Sequence, residues 1–225
     1  MLLPGGHHPR LEHVATHLVT GANDKVKLRL LRRLLALKPP DERWACLLTD
    51  NGSLPRGGVP PADSEPLISM ASITNGCICC AASVELRTAL VRLLREAQPQ
   101  RLLIEAPAVA ETPAVLGLLS DPWFAPVLDL RAVLLAMEEA EALAELRALN
   151  SPEEARLRFG PVGIVLVAAK EHDGPPAAAQ ELRQLSAQCL PEASFVAGLA
   201  AVGLALFSLP GPRLTPRFHP GEPGS

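Results

Sequence analysis

Hydrophobic positions along the chain fall into short apolar runs that alternate with longer stretches of helical periodicity. The run "HVATHLVT" at 13–20 is short, rich in β-branched residues and bounded by Gly21, which predicts a strand. The next stretch, "NDKVKLRLLRRLLALKPP", predicts an amphipathic helix that stops at Pro39 and Pro40. Its two faces are predicted to consist of leucines (Leu28, Leu30, Leu31, Leu34, Leu35, Leu37) and of solvated basic residues (Lys27, Arg29, Arg32, Arg33).

The alternation of strand and helix continues along the chain. Ser83 is the predicted cap of a helix that ends near Ala97, and Ser151 is predicted to cap another helix together with Pro152 and Glu154. Such an order predicts an α/β domain with a mainly parallel sheet and helices on both faces. Further strands are predicted at 44–49, 101–106, 130–137 and 163–168, and further helices at 138–149 and 177–190.

Residues 13–209 are predicted to form a single domain, flanked by a flexible N-terminal arm at 1–12 and a disordered tail at 210–225. Within this domain, 50–66 lacks periodicity and is predicted to be a long loop. The uncharged stretch 193–209 is 17 residues long, at the lower edge of membrane-spanning length. Because two glycines interrupt it and no Lys or Arg precedes it closely, a buried strand running into a packed helix is preferred, and no membrane association is expected.

Charge and cysteine content narrow the class of protein. The 225 residues carry 21 basic and 24 acidic side chains without a dominant block of like charge, so no nucleic-acid partner is expected. The five cysteines are an odd number, and the N-terminus lacks the layout of a secretory signal. We therefore expect a cytoplasmic protein with reduced thiols.

The segment "ITNGCICC" places three thiols, Cys77, Cys79 and Cys80, within four consecutive positions. They converge on one point only if the backbone turns there, and Asn75-Gly76 supplies a turn. A loop that leads into a helix N-terminus also lowers thiol pKa values and favours thiolates. Three thiolates suit a thiophilic ion, Zn(II) first and Cu(I) second, with a fourth position left for another ligand.

Other interpretations of the cysteines stay open from the residues alone. Small apolar thiols also pack where a strand meets a helix, and a redox site is a further possibility. Cys46 and Cys189 fall in a predicted strand and a predicted helix and are expected in the core. Asp50 is a candidate fourth metal ligand, and His172 is a weaker one. Four histidines near the N-terminus are either a metal-passing arm or incidental residues of a tail and a strand: His7, His8, His13 and His17.

"ITNGCICC" followed by the helical "ELRTALVRLL" resembles the hallmark of the CobW-like family of P-loop GTPases, relatives of the nickel chaperones HypB and UreG. The resemblance spans roughly residues 13–200 and covers the nucleotide-binding domain of that family only. It implies a P-loop NTPase-like fold, GTP hydrolysis with Mg(II), and the handling of zinc or cobalt. On matching positions it implies nucleotide contacts from Gly21, Lys27, Glu105 and Lys170, and metal ligation by the three clustered cysteines.

The phosphate loop departs from the family pattern G-x-x-G-x-G-K-T-T, since the chain has "GANDKVKLR" there. Gly21 and Lys27 match, whereas Asp24, Val26 and Leu28 replace two glycines and the magnesium-binding threonine. Valine tolerates poorly the backbone conformations that wrap a phosphate, and leucine cannot coordinate magnesium. Asp24 is expected to cap the helix and to repel the anion.

Two further nucleotide motifs depart in parallel. "EAPA" resembles the family motif E-T-T-G, with Glu105 retained and Ala108 in place of the glycine. "AKEH" resembles the guanine-reading N-K-x-D, with Lys170 retained but Ala169 and His172 where a base-binding amide and carboxylate belong. Weak or absent binding of GTP and Mg(II) is therefore predicted.

The predicted function is that of a metal-binding CobW-like protein, with zinc as the preferred ion, that acts as a metal carrier or regulator with weak or lost GTPase activity. Taken whole, the resemblance implies instead an active GTP-hydrolysing metallochaperone. A third hypothesis is a non-enzymatic interaction module that pairs with an intact paralogue. The expected partner is a metal-receiving client protein or a paralogue, and the oligomeric state stays open.

Overall fold

The computed structural model describes residues 13–50, 68–74, 81–106, 112–170 and 174–211. The strands in these ranges are β1 (Val14–Thr20), β2 (Trp44–Asp50), β3 (Ile68–Thr74), β4 (Arg101–Glu105), β5 (Leu128–Leu130), β6 (Leu134–Glu138), β7 (Ile164–Ala168) and β8 (Ser194–Ala197). The α-helices are α1 (Asp24–Leu35), α2 (Ala81–Ala97), α3 (Thr112–Leu119), α4 (Glu139–Ala148), α5 (Pro152–Phe159) and α6 (Ala179–Cys189). Two 3₁₀ turns follow, at Leu199–Ala201 and Leu204–Ser208.

The strands form one sheet in the order β3-β2-β4-β1-β6-β7-β8, and the short β5 pairs with the start of β1. The named strands pair in parallel throughout. This confirms the predicted parallel α/β architecture, in which the loops at the carboxyl ends of the strands meet along one edge. The central strand β1 lies between β4 and β6, whereas β3 is at an edge of the sheet.

Both faces of the sheet are buried, because successive side chains of each strand point to opposite faces and pack against other elements. On one face, Cys46, Leu103 and Ile164 pack with the leucines of α1 and with the two 3₁₀ turns. The other face is covered by α2 and α3 over one half, and by α4, α5 and α6 over the other half. The leucines predicted for the apolar face of α1 are buried except Leu37, which lies beyond the end of the helix and is partly buried. The helix is enclosed by the sheet on one side and by the C-terminal turns on another.

Most predicted elements are confirmed, with shifts at their ends. The strand predicted at 130–137 is two strands, β5 and β6. Ser83 is not the cap of α2, because the helix begins two residues earlier at Ala81. Ser151 caps α5 as predicted, accepting from the Glu154 N–H at 3.2 Å. The Glu154 carboxylate accepts from the Asn150 N–H at 2.9 Å, so the reciprocal contact is made one residue before the cap.

Two elements were missed by the sequence analysis, β3 and α3. The strand β3 lies directly after the Pro- and Gly-rich stretch and pairs with the whole length of β2. The helix α3 is almost entirely apolar, so it lacks the polar face from which an amphipathic helix is recognised. It packs on the sheet through Val115, Leu116 and Leu119, and Thr112 at its start lies 2.7 Å from Thr20 through their hydroxyl groups.

The segment after β8 closes one face of the sheet. The strand predicted in the stretch 193–209 is confirmed as β8, but it is partly exposed where a buried strand was expected, and 3₁₀ turns follow it in place of the expected helix. Within the described ranges, no helix is long and apolar enough to cross a bilayer. Phe207 in the second turn is buried and packs edge-on against Trp44 and His17, with ring centroids 5.1 and 5.3 Å apart.

His17 is a core residue of β1 and not part of an exposed histidine arm. It is fully buried, and its Nε2 lies 2.9 Å from a guanidinium nitrogen of Arg101. Burial lowers the pKa of His17 to about 3, and the nearby charges of Arg101 and Arg131 act in the same direction. The imidazole is therefore neutral at physiological pH and accepts the hydrogen bond from Arg101. Of the two interpretations of the N-terminal histidines, His17 therefore fits that of an incidental residue of a strand and not that of a metal-passing arm.

Truncation of the closing aromatic side chain should destabilise the fold. We expect Phe207→Ala to lower the free energy of unfolding by about 3–5 kcal/mol, because it leaves a cavity between Trp44, His17 and the Arg101 guanidinium. Urea unfolding followed by circular dichroism measures the change. Leu204→Ala in the same turn is the matched control, because that side chain is 56% exposed and should cost far less. Equal losses for the two variants would contradict this role of the segment.

Candidate functional site

The predicted nucleotide residues that the structure describes lie along the carboxyl edge of the sheet. Gly21 directly follows β1, Lys27 lies in the first turns of α1, and Glu105 ends β4. Lys170 lies just beyond the end of β7, on the far side of β6. The topology therefore brings together segments that are separated by up to 150 positions in the chain, whereas their contact with a nucleotide stays a prediction.

Gly21 is fixed by the close approach of β1 and β6. Its φ of +154° lies at the edge of the region that side chains disfavour, and a Cβ there would meet the carbonyl oxygen of Ala136 at 2.2 Å. A glycine is thus required at the end of β1 by the packing of the backbone itself. This requirement holds whether or not an anion binds.

Asn23 caps helix α1 and occupies the amide groups at its start. The Asn23 side chain accepts hydrogen bonds from the N–H groups of Lys25 and Val26, at 3.0 and 3.4 Å. Its main-chain oxygen accepts from Val26 and Lys27, both at 3.1 Å. The N–H groups of Lys25 and Val26 are among those that a helix N-terminus offers to a phosphate, whereas the Lys27 N–H makes the first ordinary hydrogen bond of the helix. In this protein the chain itself uses the N–H groups of Lys25 and Val26.

Asn23 was not singled out from the sequence, where Asp24 was expected to be the cap. That expectation was wrong by one position, since Asp24 is the first residue of the helix and its N-cap is Asn23. An asparagine before the start of a periodic stretch is a recognisable cap signal. The adjacent Asp24 gives the same signal, so the sequence pattern alone does not distinguish the two residues. The Asp24 carboxylate makes a different contact.

Lys27 is buried, with several acceptors around its ammonium group. The side chain is 0% exposed, and Nζ donates to the carbonyl oxygen of Ala106 at 2.9 Å. It also pairs with Asp24 Oδ1 at 2.9 Å and with Glu105 Oε1 at 3.2 Å. An ammonium carries three N–H donors, and these oxygens are among their acceptors. We call Lys27, Asp24, Glu105 and the Ala106 carbonyl the lysine cluster.

The burial of Lys27 corrects the predicted placement of this residue on a solvated face of α1. The error has a physical cause, because the helical pattern alone treats every lysine as a surface residue. Burying an ammonium is unfavourable unless charge and hydrogen bonds compensate it. The compensation comes from Glu105 and Ala106 at the end of β4, which the periodicity of α1 does not indicate. Arg29 and Arg33 are partly exposed and Arg32 is exposed, in line with the prediction for that face.

A cleft of about 900 Å³ lies beside the start of α1. Its walls combine basic and acidic side chains with apolar Leu28, in the place of the magnesium-binding threonine. Arg29 spans the cleft wall and donates to the carbonyl oxygens of Ala169 and Lys170, at 3.3 and 3.5 Å. These belong to the segment that resembles the guanine-reading motif. The lining residues are Ala22, Asn23, Asp24, Lys25, Leu28, Arg29, Arg32, Glu138, Glu141 and Lys170.

The predicted metal ligands fall outside the described residues. This holds for Cys77, Cys79 and Cys80 between β3 and α2, and also for Ala108 and His172. Asp50 ends β2 beside Thr74 of β3, but its side chain is not described. Within the part of the chain that the structure describes, no group of three or more His, Cys, Asp or Glu side chains is arranged to hold a metal ion.

The remaining two cysteines are buried, as predicted. Burial raises the pKa of Cys46 to about 12, with the charge of Glu105 as a second contribution to that rise. Burial also raises the pKa of Cys189, whose thiol donates weakly to the carbonyl oxygen of Leu146 at 3.6 Å. Both groups are therefore protonated thiols near neutral pH, and neither has the thiolate character of a metal ligand.

Comparison with known proteins gives a consistent result. The chain is 34% identical over 169 residues to the protein named zinc chaperone YeiR of Escherichia coli (strain K12). The match covers 75% of this chain and 50% of YeiR, so the chain spans about half the length of this curated relative.

Solved structures share the fold. The Zn(II)-bound YjiA GTPase of E. coli has a TM-score of 0.56 at 18% identity, covering 87% of this chain and 61% of YjiA. The hydrogenase maturation factor HypB of Archaeoglobus fulgidus has a TM-score of 0.50 at 15% identity, covering 82% of this chain and 84% of HypB. The family described as CobW/HypB/UreG, nucleotide-binding domain, matches residues 16–195. The chain therefore belongs to the CobW/HypB/UreG family and contains its nucleotide-binding domain.

Proposed function

We propose that this protein binds zinc through Cys77, Cys79 and Cys80 and acts as a metal carrier or regulator in which GTP hydrolysis is weak or lost. The metal part of the proposal is supported by the cysteine motif and by the name of the relative, zinc chaperone YeiR. The loss of nucleotide chemistry is supported by one observation above all, the burial of Lys27 in the lysine cluster.

The lysine cluster removes what a phosphate loop needs. A phosphate-binding lysine must present its ammonium to the anion, whereas Lys27 Nζ is enclosed by Asp24, Glu105 and the Ala106 carbonyl. The helix N-terminus must also offer N–H groups, and the Asn23 side chain occupies those of Lys25 and Val26. The Asp24 side chain is 36% exposed at the same place and would repel a phosphate group. Binding GTP in the manner of a P-loop would require each of these contacts to be exchanged.

The metal motif does not depend on the phosphate loop. The cysteines follow β3 and the phosphate loop follows β1, and in the sheet these strands are separated by β2 and β4. Three steps between neighbouring strands amount to about 14 Å. Amino-acid substitutions at the start of α1 can therefore accumulate without disturbing β3, the strand that precedes the thiols in the sequence. A metal site that persists beside a lost nucleotide site is consistent with this spacing.

Zinc is the preferred ion for chemical reasons. Three thiolates with one remaining position suit tetrahedral Zn(II), and an open position allows the ion to be loaded and released. Cys46 and Cys189 are buried protonated thiols, so the motif alone supplies the proposed ligands. A reducing compartment, the cytoplasm in our proposal, would keep these thiols free. The proposed partner is a metal-receiving client protein or a paralogue.

Nucleotide titration tests the lost phosphate site. We expect GTP with magnesium to bind more weakly than ~100 μM, against the micromolar or tighter affinity of a functional phosphate loop. Isothermal calorimetry of the purified protein measures this, with an active P-loop GTPase titrated under the same conditions as a positive control. Low-micromolar binding of GTP would contradict the proposal and favour an active GTP-hydrolysing metallochaperone.

Replacement of the buried lysine tests its structural role. Lys27→Met removes the ammonium beside two carboxylates, so we expect a loss of about 3–5 kcal/mol in the free energy of unfolding, with GTP affinity unchanged. Lys25→Met is the control, because Lys25 is exposed on the same turn of α1 and should cost little. The double variant Lys27→Met, Glu105→Gln should recover part of the loss. If Lys27→Met left stability unchanged and abolished GTP binding, Lys27 would be a nucleotide ligand instead.

Zinc titration of the reduced protein tests the cysteine motif. We expect about one tight site, lost in the variant Cys79→Ser, Cys80→Ser because two of the three thiolates are removed. Competition with a chromophoric chelator measures the affinity. Cys189→Ala is the control and should keep full zinc affinity, because its buried thiol is protonated. Unchanged affinity in the double serine variant would mean that the thiols are structural, and would favour a non-enzymatic interaction module.

A further inference from the structure

The outer face of α2 carries exposed apolar side chains. In the ranges that the structure describes, the large hydrophobic residues with high exposure are Val84, Val91, Trp123, Leu157 and Leu204. Val84 and Val91 lie on α2 with exposures of 63% and 44%, and Trp123 in the turn after α3 is 82% exposed. The buried face of the same helix already contains Leu86, Leu90, Leu93 and Leu94. The apolar residues on the outer face are therefore not needed by the core.

These residues are arranged around a groove. Val84, Thr88 and Val91 are spaced by four and three positions and share one side of the helix. A groove of about 600 Å³ runs along this side, lined by Arg87, Thr88, Val91, Arg92, Arg95 and Glu96. Apolar side chains flanked by arginines are the composition of protein–protein contact sites, where Trp and Arg also contribute most of the binding energy.

One carboxylate connects Trp123 to the groove. Asp121 Oδ2 pairs with Arg87 Nη2 at 2.7 Å, and Asp121 Oδ1 accepts from the Trp123 N–H at 3.0 Å. The turn that carries Trp123 is thus held against α2 through Arg87, which lines the groove, and the exposed indole is not packed into the core. Because the main chain at Trp123 is already fixed, less ordering of this turn is needed on binding, which favours affinity. We call Val84, the groove residues and Trp123 the α2 surface.

The charges of the α2 surface favour an acidic partner. Three arginines and one glutamate line the groove. Arg87 and Arg92 contact Asp121 and Glu96, but these are partly exposed pairs, with side-chain exposures of 40% for Arg87 and 76% for Arg92. Exposed ion pairs of this kind are weak and exchange readily for the carboxylates of a partner. An apolar side chain between carboxylates would match both the apolar strip and the arginines.

The position of the α2 surface relates it to the cysteine motif. Helix α2 begins at Ala81, the residue after Cys80. Val84 and Arg87 therefore lie in the first two turns after the thiols. A protein bound along this side of α2 would be held close to the proposed metal ligands.

We propose that the α2 surface is the docking site for a protein partner that presents a short acidic segment around an apolar side chain, and that this partner receives or delivers the metal. The transfer part rests on the proposed function, whereas the docking part does not. The exposed Trp123 side chain reports binding directly, because the only other tryptophan, Trp44, is 1% exposed.

Selection from a random library of 12-residue peptides displayed on phage tests the docking site. We expect the enriched peptides to contain two or more Asp or Glu within three positions of a Leu, Phe or Met. A synthetic peptide of that consensus should shift the emission of Trp123. Its affinity should fall at least tenfold in Trp123→Ala and in Arg92→Glu, Arg95→Glu. Leu157→Ala is the matched control, because that side chain is 80% exposed on α5, and it should bind the peptide like the parent protein.

Several outcomes would overturn the docking site. These are the absence of enrichment, a basic or uncharged consensus, or peptide binding that Trp123→Ala leaves unchanged. Self-association in sedimentation velocity that Trp123→Ala abolishes would assign the surface to a second copy of the chain instead. The variant Cys79→Ser, Cys80→Ser separates the two proposals. If this variant loses zinc binding but still binds the peptide, the docking site is supported independently of the metal site. If it keeps zinc binding and peptide binding does not depend on Trp123, the docking site alone is contradicted.

Discussion

The contact on which the carboxyl edge of this sheet depends is the ion pairing of one buried ammonium. Lys27 Nζ joins the start of α1 to the end of β4 through Asp24, Glu105 and the carbonyl of Ala106. In a phosphate-binding loop the ammonium of the corresponding lysine contacts the phosphate. Here the chain balances the charge itself, so the edge is complete in the absence of an anion. The helix cap at Asn23 acts in the same sense for the main-chain N–H groups.

The order of the strands in the sheet separates the cysteine motif from the lysine cluster, although both belong to one domain. The segment with the cysteines leaves the sheet at the edge strand β3, whereas the lysine cluster lies at central β1 and β4. An edge strand and the helix after it are also the part of such a domain most open to other proteins. Metal ligation and partner contact are thereby proposed for one side of the molecule, around α2, whereas the edge with the predicted nucleotide residues holds the lysine cluster.

The sequence predicted the fold well because parallel strands and their covering helices leave strong patterns. The runs at β1, β2, β4 and β7 and the leucine rows of α1 were found at nearly their observed positions. β3 was missed because it directly follows a long stretch rich in Pro and Gly, and α3 because Leu116, Leu118 and Leu119 leave it without a polar face. The burial of Lys27 could not be predicted, since its partner Glu105 is 78 positions away and the contact exists only once β1 and β4 are paired.

The cap at Asn23 and the pairing of Lys27 have a consequence for any attempt to build a phosphate loop into this chain. A glycine at position 24, where the family pattern has one, would first remove a carboxylate that pairs with a buried cation, and only several changes together would create a cradle for phosphate. Each single change of this kind is expected to lower the free energy of unfolding before any anion can bind. A phosphate loop at this edge would therefore have to be introduced by several substitutions at once.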